Sequence, residues 1–272
     1  MRQFTDRVAV VTGAGSGIGR ALARDLAVRG AQLALSDVDG ERLSAVVAEC
    51  ESLGAKVSGQ ALDVGDRAAV LAYADRVAEE FGRVELVVNN AGVALKGTVA
   101  EMDWADLDWI VGVNFWGVVH GSKAFLPHLI AAGEGHLVNI SSVFGLIGVP
   151  TQSAYNATKF AVRGFTEALR QEMVVAGHRV GVSCVHPGGV RTNIARDARG
   201  LPGDERASAA KLFDRVARTS PERAARTILR GVQRDRARIL VGPDAYLIDA
   251  LPRVLSAGYQ RLVAGVAKRL PL

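Results

Sequence analysis

Val8-Ala9-Val10-Val11 runs directly into Thr12-Gly13-Ala14-Gly15-Ser16-Gly17-Ile18-Gly19, and from there into Gly19–Arg29, where apolar residues recur at helical spacing. The order is strand, glycine turn, helix. Glycine tolerates positive φ and leaves room for a ligand against the main chain, and free N–H groups at a helix start stabilise the negative charge of a phosphate. Gly13, Gly17 and Gly19 are spaced G-x-x-x-G-x-G, which departs from the G-x-G-x-x-G of other dinucleotide-binding turns. Taken alone, the stretch also reads as a merely flexible turn.

The same alternation continues along the chain. Apolar runs place strands near Arg7–Thr12, Ala31–Ser36, Lys56–Gln60, Glu85–Asn89, Gly135–Ile140, Val180–His186 and Arg238–Val241, while Glu41–Leu53, Arg67–Phe81 and Ser153–Ala176 carry helical periodicity. Alternating strands and helices predict an α/β fold, a doubly wound parallel sheet with helices on both faces. A single domain is expected over residues 1–242, with 243–272 as its C-terminal helical extension. Ile194–Thr219, centred on Leu201-Pro202-Gly203, reads equally as a lid and as an ordinary exposed loop.

Composition excludes several functions. With 49% hydrophobic and 22% charged residues the chain has ample material for a core. No apolar run approaches the roughly 20 residues that span a bilayer, and no signal-peptide pattern opens the chain, so a cytoplasmic location is expected. Cys50 and Cys184 match neither a zinc nor a redox spacing and read as core fillers in a reducing compartment. The formal net charge of +5 comes with arginines scattered through Arg163, Arg191, Arg215, Arg230 and Arg253, which suggests a solvated surface and no nucleic-acid partner. His120, His128, His136, His178 and His186 show no ligand spacing, so no metal site is expected. His186 alone, before Pro187, is a candidate for substrate contact.

Ser36-Asp37 ends the second strand about twenty residues beyond the glycine turn, where a carboxylate can accept hydrogen bonds from an adenosine ribose. It would repel a 2′-phosphate, and neither Ser16 nor Val38 offers a compensating charge, so Asp37 favours NAD over NADP. The competing reading makes Asp37 a helix cap, a task its neighbours Asp39 and Gly40 could also perform. Asp63-Val64, after the third strand, is a candidate for the adenine edge or a plain turn.

Tyr155 and Lys159 lie four residues apart in a helical segment and so share one face. A phenol titrates near 10, and a neighbouring ammonium, aided by a nicotinamide cation, would lower that toward the working range. Such a pair is usually structural. Position raises its interest, because Ser141-Ser142 ends the preceding strand and ligands of such sheets bind at the carboxyl ends of strands.

Across residues 5 to about 242 the sequence resembles the short-chain dehydrogenase/reductase family, whose fold is Rossmann-like. Thr12-Gly13-x-x-x-Gly17-Ile18-Gly19 is similar to its cofactor turn, Asn89-Asn90-Ala91-Gly92 to its fourth-strand motif and Tyr155-Asn156-Ala157-Thr158-Lys159 to its Tyr-x-x-x-Lys signature, with threonine where many relatives have serine. Ser142 stands thirteen residues before Tyr155, as the family's substrate-orienting serine does, and Asn114 matches its fourth catalytic residue. Pro187-Gly188, with Val190 and Thr192, resembles the loop that closes over the nicotinamide. The resemblance implies that Tyr155 is the general acid or base, Lys159 lowers its pKa and binds the nicotinamide ribose, Ser142 bonds the substrate oxygen and Asn114 anchors a water. Ser141 is the competing serine, better suited to local packing. The implied function is NAD(H)-dependent interconversion of a secondary alcohol and a ketone. The apolar Val143, Phe144, Leu146 and Val149 point to an apolar small molecule. A homotetramer or homodimer is implied, sharing faces around Met102–His120 and Ser153–Ala176.

Beyond the usual end of that fold, Leu247, Leu251, Leu255, Tyr259, Leu262, Val266 and Leu270 form an apolar stripe at helical spacing, with Arg253, Arg261, Lys268 and Arg269 off it. It could cover the pocket, a subunit interface or an anionic membrane, and packing against protein is the expectation. An NAD(H) sensor without turnover is the alternative from another class.

Overall fold

Successive residues of β1 (Val8–Thr12) face opposite sides of a sheet, and both sides are dry. In the computed structural model, which describes residue 1, residues 3–200 and residues 217–268, Ala9 and Val11 pack with Leu22, Leu26 and Ile228, whereas Val10 packs with Phe125, Leu129 and Leu169. A strand buried on both faces belongs inside a parallel sheet covered by helices. Seven parallel strands make that sheet among the described residues, in the order β3-β2-β1-β4-β5-β6-β7. The others are β2 (Gln32–Asp37), β3 (Val57–Ala61), β4 (Leu86–Asn89), β5 (Gly135–Ile140), β6 (Val180–Pro187) and β7 (Arg238–Val241). The order reverses between β1 and β4, which opens a crevice at the carboxyl ends of those two strands.

One helical layer holds α1 (Gly17–Val28), α2 (Gly40–Ser52) and α7 (Pro221–Gln233). The other holds α3 (Arg67–Phe81), α5 (Gly117–Ala131) and α6 (Ser153–Val175), with α4 (Trp104–Val111) ahead of α5. Short polar side chains start these helices: Asp39, Asp66 and Ser220 each accept a backbone N–H of the first turn. The expected strands and helices all appear, displaced by a residue or two at their ends. The helix after the glycine turn begins at Gly17, two residues before the expected Gly19, because the turn itself supplies its first N–H groups.

The C-terminal extension is α8 (Pro243–Leu255), a short turn, and α9 (Tyr259–Ala267). Its apolar stripe does not run along one helix, since Ser256 takes a positive φ of 47° and breaks the register. Leu247, Leu255, Leu262 and Val266 are exposed. No described helix is long and apolar enough to cross a membrane. Residues 201–216, which contain the centre of the segment read equally as lid or loop and Arg215, lie outside the described residues, as do Arg2, Arg269 and Leu270. Both cysteines are buried and unpaired.

Candidate active site

The glycine turn closes the amino end of α1. Gly13 and Gly17 adopt φ of 63° and 52°, the left-handed region that side chains disfavour. Gly19 is required for contact: a Cβ there would lie 2.0 Å from the Gly13 carbonyl oxygen. Asn90 ties the turn to β4, its amide donating to the Thr12 and Gly13 carbonyls at 2.9 and 3.0 Å. Its side chain therefore shapes the turn. Ser16 precedes α1 in an extended conformation without capping it, so its hydroxyl remains available beside the N–H groups of Gly17 and Ile18. Thr192, from the loop after β6, approaches the same turn, with its methyl 3.0 Å from where a Gly17 Cβ would sit. Open main chain, a free hydroxyl and a helix start together fit a diphosphate.

Of the two acidic residues, the cap of α2 falls to Asp39 and not to Asp37. Asp39 caps α2 through the Arg42 N–H at 3.0 Å, while Asp37 accepts the N–H of Gly15 at 2.8 Å and that of Asp39 at 3.0 Å. The Asp37 carboxylate thus sits against the glycine turn. Asp63 is exposed and accepts the Gly65 N–H at 2.8 Å, a turn contact. Val64 is buried, its carbonyl accepting from His120 at 3.0 Å.

Ser142, Tyr155 and Lys159 converge at the carboxyl end of β5. Tyr155 is half-buried and its ring meets Phe144 edge-on at 6.0 Å. Burial pushes its phenol up to about 12, and a hydrogen bond with Ser142 works against that shift. Lys159 is not among the groups that shift it, so the lowering expected from the ammonium is not seen among the protein's own groups. Lys159 is buried with its ammonium 5.6 Å from the Tyr155 ring centre, and donates to the Ile140 carbonyl at 3.1 Å. Burial lowers it to about 8. The two serines separate: Ser141 donates to the Lys159 carbonyl at 2.7 Å, whereas Ser142 accepts the Phe144 N–H at 3.1 Å and faces Tyr155.

Asn114 lies in a π-helical turn, Gly112–Trp116, where the Gly117 N–H reaches back to the Gly112 carbonyl. Such turns inside α-helices frequently mark functional sites. Its side chain accepts the Val93 N–H at 2.8 Å and donates to the Val93 carbonyl at 2.9 Å and to Thr158 Oγ1 at 3.3 Å. Gly92 lets it approach Lys159, since a Cβ there would sit 3.3 Å from both Asn114 Oδ1 and Lys159 Nζ.

Pro187 ends β6, and Gly188 donates to the Val241 carbonyl at 2.9 Å. Val190 is buried in the core and pairs with Thr219, so of this loop Thr192 is the side chain nearest the glycine turn. His186 requires a correction. It is wholly buried, with Nδ1 donating to the Ser142 carbonyl at 2.9 Å, and therefore supports the serine from behind and does not reach substrate.

Three contributors were not singled out from the sequence. Asn156 donates to the Phe144 and Ile147 carbonyls at 2.6 and 2.7 Å and accepts the Val149 N–H at 3.0 Å, which shapes the loop between Ser142 and Tyr155. Asp244 accepts the Gly189 N–H at 2.6 Å. Arg199 stacks on Trp109 at 3.8 Å and pairs with Asp106 at 3.2 Å, pinning the chain after Thr192 to α4. An Asn beside the tyrosine and an Asp after Gly242-Pro243 were visible as residues, but nothing local announced their partners.

A glycine turn at the reversal of strand order, with a serine, a tyrosine and a lysine gathered at the carboxyl end of β5, defines a dehydrogenase of the short-chain class. The chain belongs to the short-chain dehydrogenase/reductase family, whose short chain dehydrogenase pattern matches residues 7–200, and it is an oxidoreductase of that family. It is 57% identical to SadH of Mycobacterium tuberculosis over 273 residues, covering 100% of this chain and 99% of the relative. A C alpha-dehydrogenase of Sphingobium sp. is 35% identical, over 90% of this chain and 83% of its own. Among solved structures, a short chain dehydrogenase/reductase from Burkholderia phymatum in complex with NAD superposes with a TM-score of 0.88 at 35% identity, covering 94% of this chain and 95% of that one. Levodione reductase superposes with a TM-score of 0.80 at 31% identity, covering 90% and 99%.

Proposed function

We propose that the protein interconverts a secondary alcohol and a ketone with NAD(H), Tyr155 moving the proton. The observation that carries this reading is the Lys159 ammonium 5.6 Å from the Tyr155 ring centre, with Ser142 at the carboxyl end of the neighbouring strand β5. NAD, when bound, supplies the hydride acceptor and in its reduced form the donor. Gly13, Ser16, Gly17, Ile18 and Gly19 would hold its diphosphate, Asp37 the adenosine ribose, Asp63 and Val64 the adenine edge, and Lys159 the nicotinamide ribose. Asn90 would act by shaping the turn, and Pro187, Gly188, Val190 and Thr192 would close over the nicotinamide. Asp37 supports NAD over NADP by charge.

A phenol held near 12 is protonated at neutral pH and can donate to a ketone oxygen held by the Ser142 hydroxyl. Lys159, at about 8, is mostly charged there and stabilises the phenolate left behind. In the oxidative direction the same oxygen accepts the alcohol proton. Because the Asn114 side chain is committed to Val93 and Thr158, its share in returning the proton to solvent would fall to the main chain of the π turn. Val143, Phe144, Leu146 and Val149 favour an apolar substrate, and relatives named for reductase and dehydrogenase activities support the reaction class.

The same reading takes residues 1–242 as the catalytic domain with 243–272 its extension, in the cytoplasm. It assembles as a homotetramer or homodimer, for which exposed Trp104, Trp116 and Phe160 on the expected shared faces are the support. The experiment is an alcohol and ketone panel with NAD(H) followed by absorbance, on wild type and Tyr155→Phe. Turnover is expected to fall by roughly two to four powers of ten in the variant while NADH affinity stays within about twofold. A variant that keeps a tenth of the activity refutes the role of Tyr155, and a wild type that turns over nothing favours an NAD(H) sensor.

A further inference from the structure

Two hydrogen bonds from the C-terminal extension end on the two loops that frame the site. The Gly148 N–H donates to Tyr259 Oη at 3.0 Å, and the Gly189 N–H donates to the Asp244 carboxylate at 2.6 Å. Gly148 belongs to the loop between Ser142 and the helix of Tyr155, while Gly189 belongs to the loop that follows Pro187. Asp244 stands in the first turn of α8 and Tyr259 is the first residue of α9, so one helical unit holds both loops.

The Asp244 contact is built into the surrounding chain. A Cβ at Gly188 would lie 2.1 Å from its carboxylate, and one at Gly242 would lie 2.5 Å from it, so two glycines make room for the same oxygen atoms. At the other loop, Asn156 binds the main chain of Phe144, Ile147 and Val149 from within. Gly148, between the last two, is exposed and turns its N–H outward to Tyr259. Asn156 thus sets the inner course of the loop, and Tyr259 sets how far its outer edge stands from the extension. Phe144, on the same loop, is the residue that meets the Tyr155 ring edge-on.

We propose that Tyr259 is a specificity-determining latch: by holding Gly148 it sets the opening through which a ketone or secondary alcohol with an apolar arm reaches Tyr155. Through Asp244 the same extension ties that opening to the loop at 188–190, so the substrate side and the nicotinamide side are positioned by one element. A small substrate passes the opening whatever its width; a large apolar one depends on it. The latch rests on the reading of Tyr155 as the proton-transferring group, and its test separates the two.

Tyr259→Phe removes the hydroxyl and leaves the ring. Losing one hydrogen bond of ordinary strength is expected to speed hydrogen exchange at the Gly148 amide by about threefold to tenfold. With ketones found active on wild type, KM for the largest apolar ones is expected to rise by a similar factor, with kcat and the NADH dissociation constant within about twofold. Unchanged exchange in the 143–152 peptide overturns the latch, whether or not the enzyme turns over any ketone. Faster exchange with an unchanged KM for large ketones, or a fall in kcat at constant KM, overturns the specificity role. If wild type turns over no ketone or alcohol, the proposed function falls and the specificity role with it, while the exchange measurement still decides whether the contact holds the loop.

Discussion

Acidification between pH 6.5 and 4.5 is expected to destabilise this protein through two buried histidines. His136 on β5 is wholly buried, with Nε2 2.7 Å from Ser183 Oγ. The one Ser183 proton goes to the Arg236 carbonyl at 2.7 Å, so Ser183 must accept from His136 Nε2–H, which leaves Nδ1 bare and without a partner. Burial pushes His136 down from 6.5 to about 4; the N-terminal ammonium and Arg170 act in the same direction, and Asp235, 3.9 Å from Nδ1, opposes. His186 is also pushed down to about 4 by burial, against its bond to the Ser142 carbonyl. A histidine with a depressed folded pKa takes up its proton first in the unfolded chain. Its contribution is therefore complete above pH 6.5, declines as pH falls, and is exhausted near pH 4. At 1.36 kcal/mol per tenfold, the full shift corresponds to about 3 kcal/mol for each histidine, a large share of the roughly 5–15 kcal/mol that holds a domain folded. Glu134, Glu167, Glu222 and Asp235 have lowered pKa values, so the stability they add begins to be lost only at the acid edge of this window, near their ordinary 4.5 and 3.8, and goes as pH falls further through their lowered values. Urea midpoints at pH 7.5 and 4.5 measure the effect. His136→Gln keeps a donor for Ser183 but does not titrate, so it should lose about half as much stability as wild type over that interval. Equal losses in the two proteins, or none in wild type, would refute the reasoning.

Two further substitutions probe the cofactor side. Gly19→Ala puts a methyl 2.0 Å from the Gly13 carbonyl oxygen and 2.6 Å from the Asn90 amide, so the turn must open. It should lower stability by about 1–3 kcal/mol and weaken NADH binding by more than about tenfold; thermal melts and NADH fluorescence titration check it, and unaltered affinity contradicts it. Asp37→Ala deletes the acceptor of the Gly15 and Asp39 N–H groups together with the charge that repels a 2′-phosphate. The ratio of kcat/KM with NAD to that with NADP should fall by about tenfold or more, since bonds to a charged group contribute roughly 1.5–3 kcal/mol, and a constant ratio would remove Asp37 as the selector.

Periodicity and local chemistry decided a great deal from the residues alone. Alternate positions of Val8–Val11 must face opposite layers, so an apolar run of that length flanked by glycine and a helical pattern already specifies a strand buried on both sides and the parallel sheet it needs. Tyr155 and Lys159 share a helical face by spacing, and Ser142 ends a strand, so the floor of the site was legible too. Contacts between residues distant in sequence were not. Whether Asp37 or Asp39 capped α2 depended on a neighbouring strand or helix whose position no local pattern encodes. His186 could be read toward substrate until the packing of β6 against the Ser142 backbone turned it inward. Nor could an apolar stripe reveal that Ser256 breaks it, or that Tyr259 reaches an N–H group 111 residues earlier. Helical and strand periods are properties of a few consecutive residues, whereas these partners meet only because the sheet brings the ends of separate strands and the C-terminal helices to one edge of the molecule.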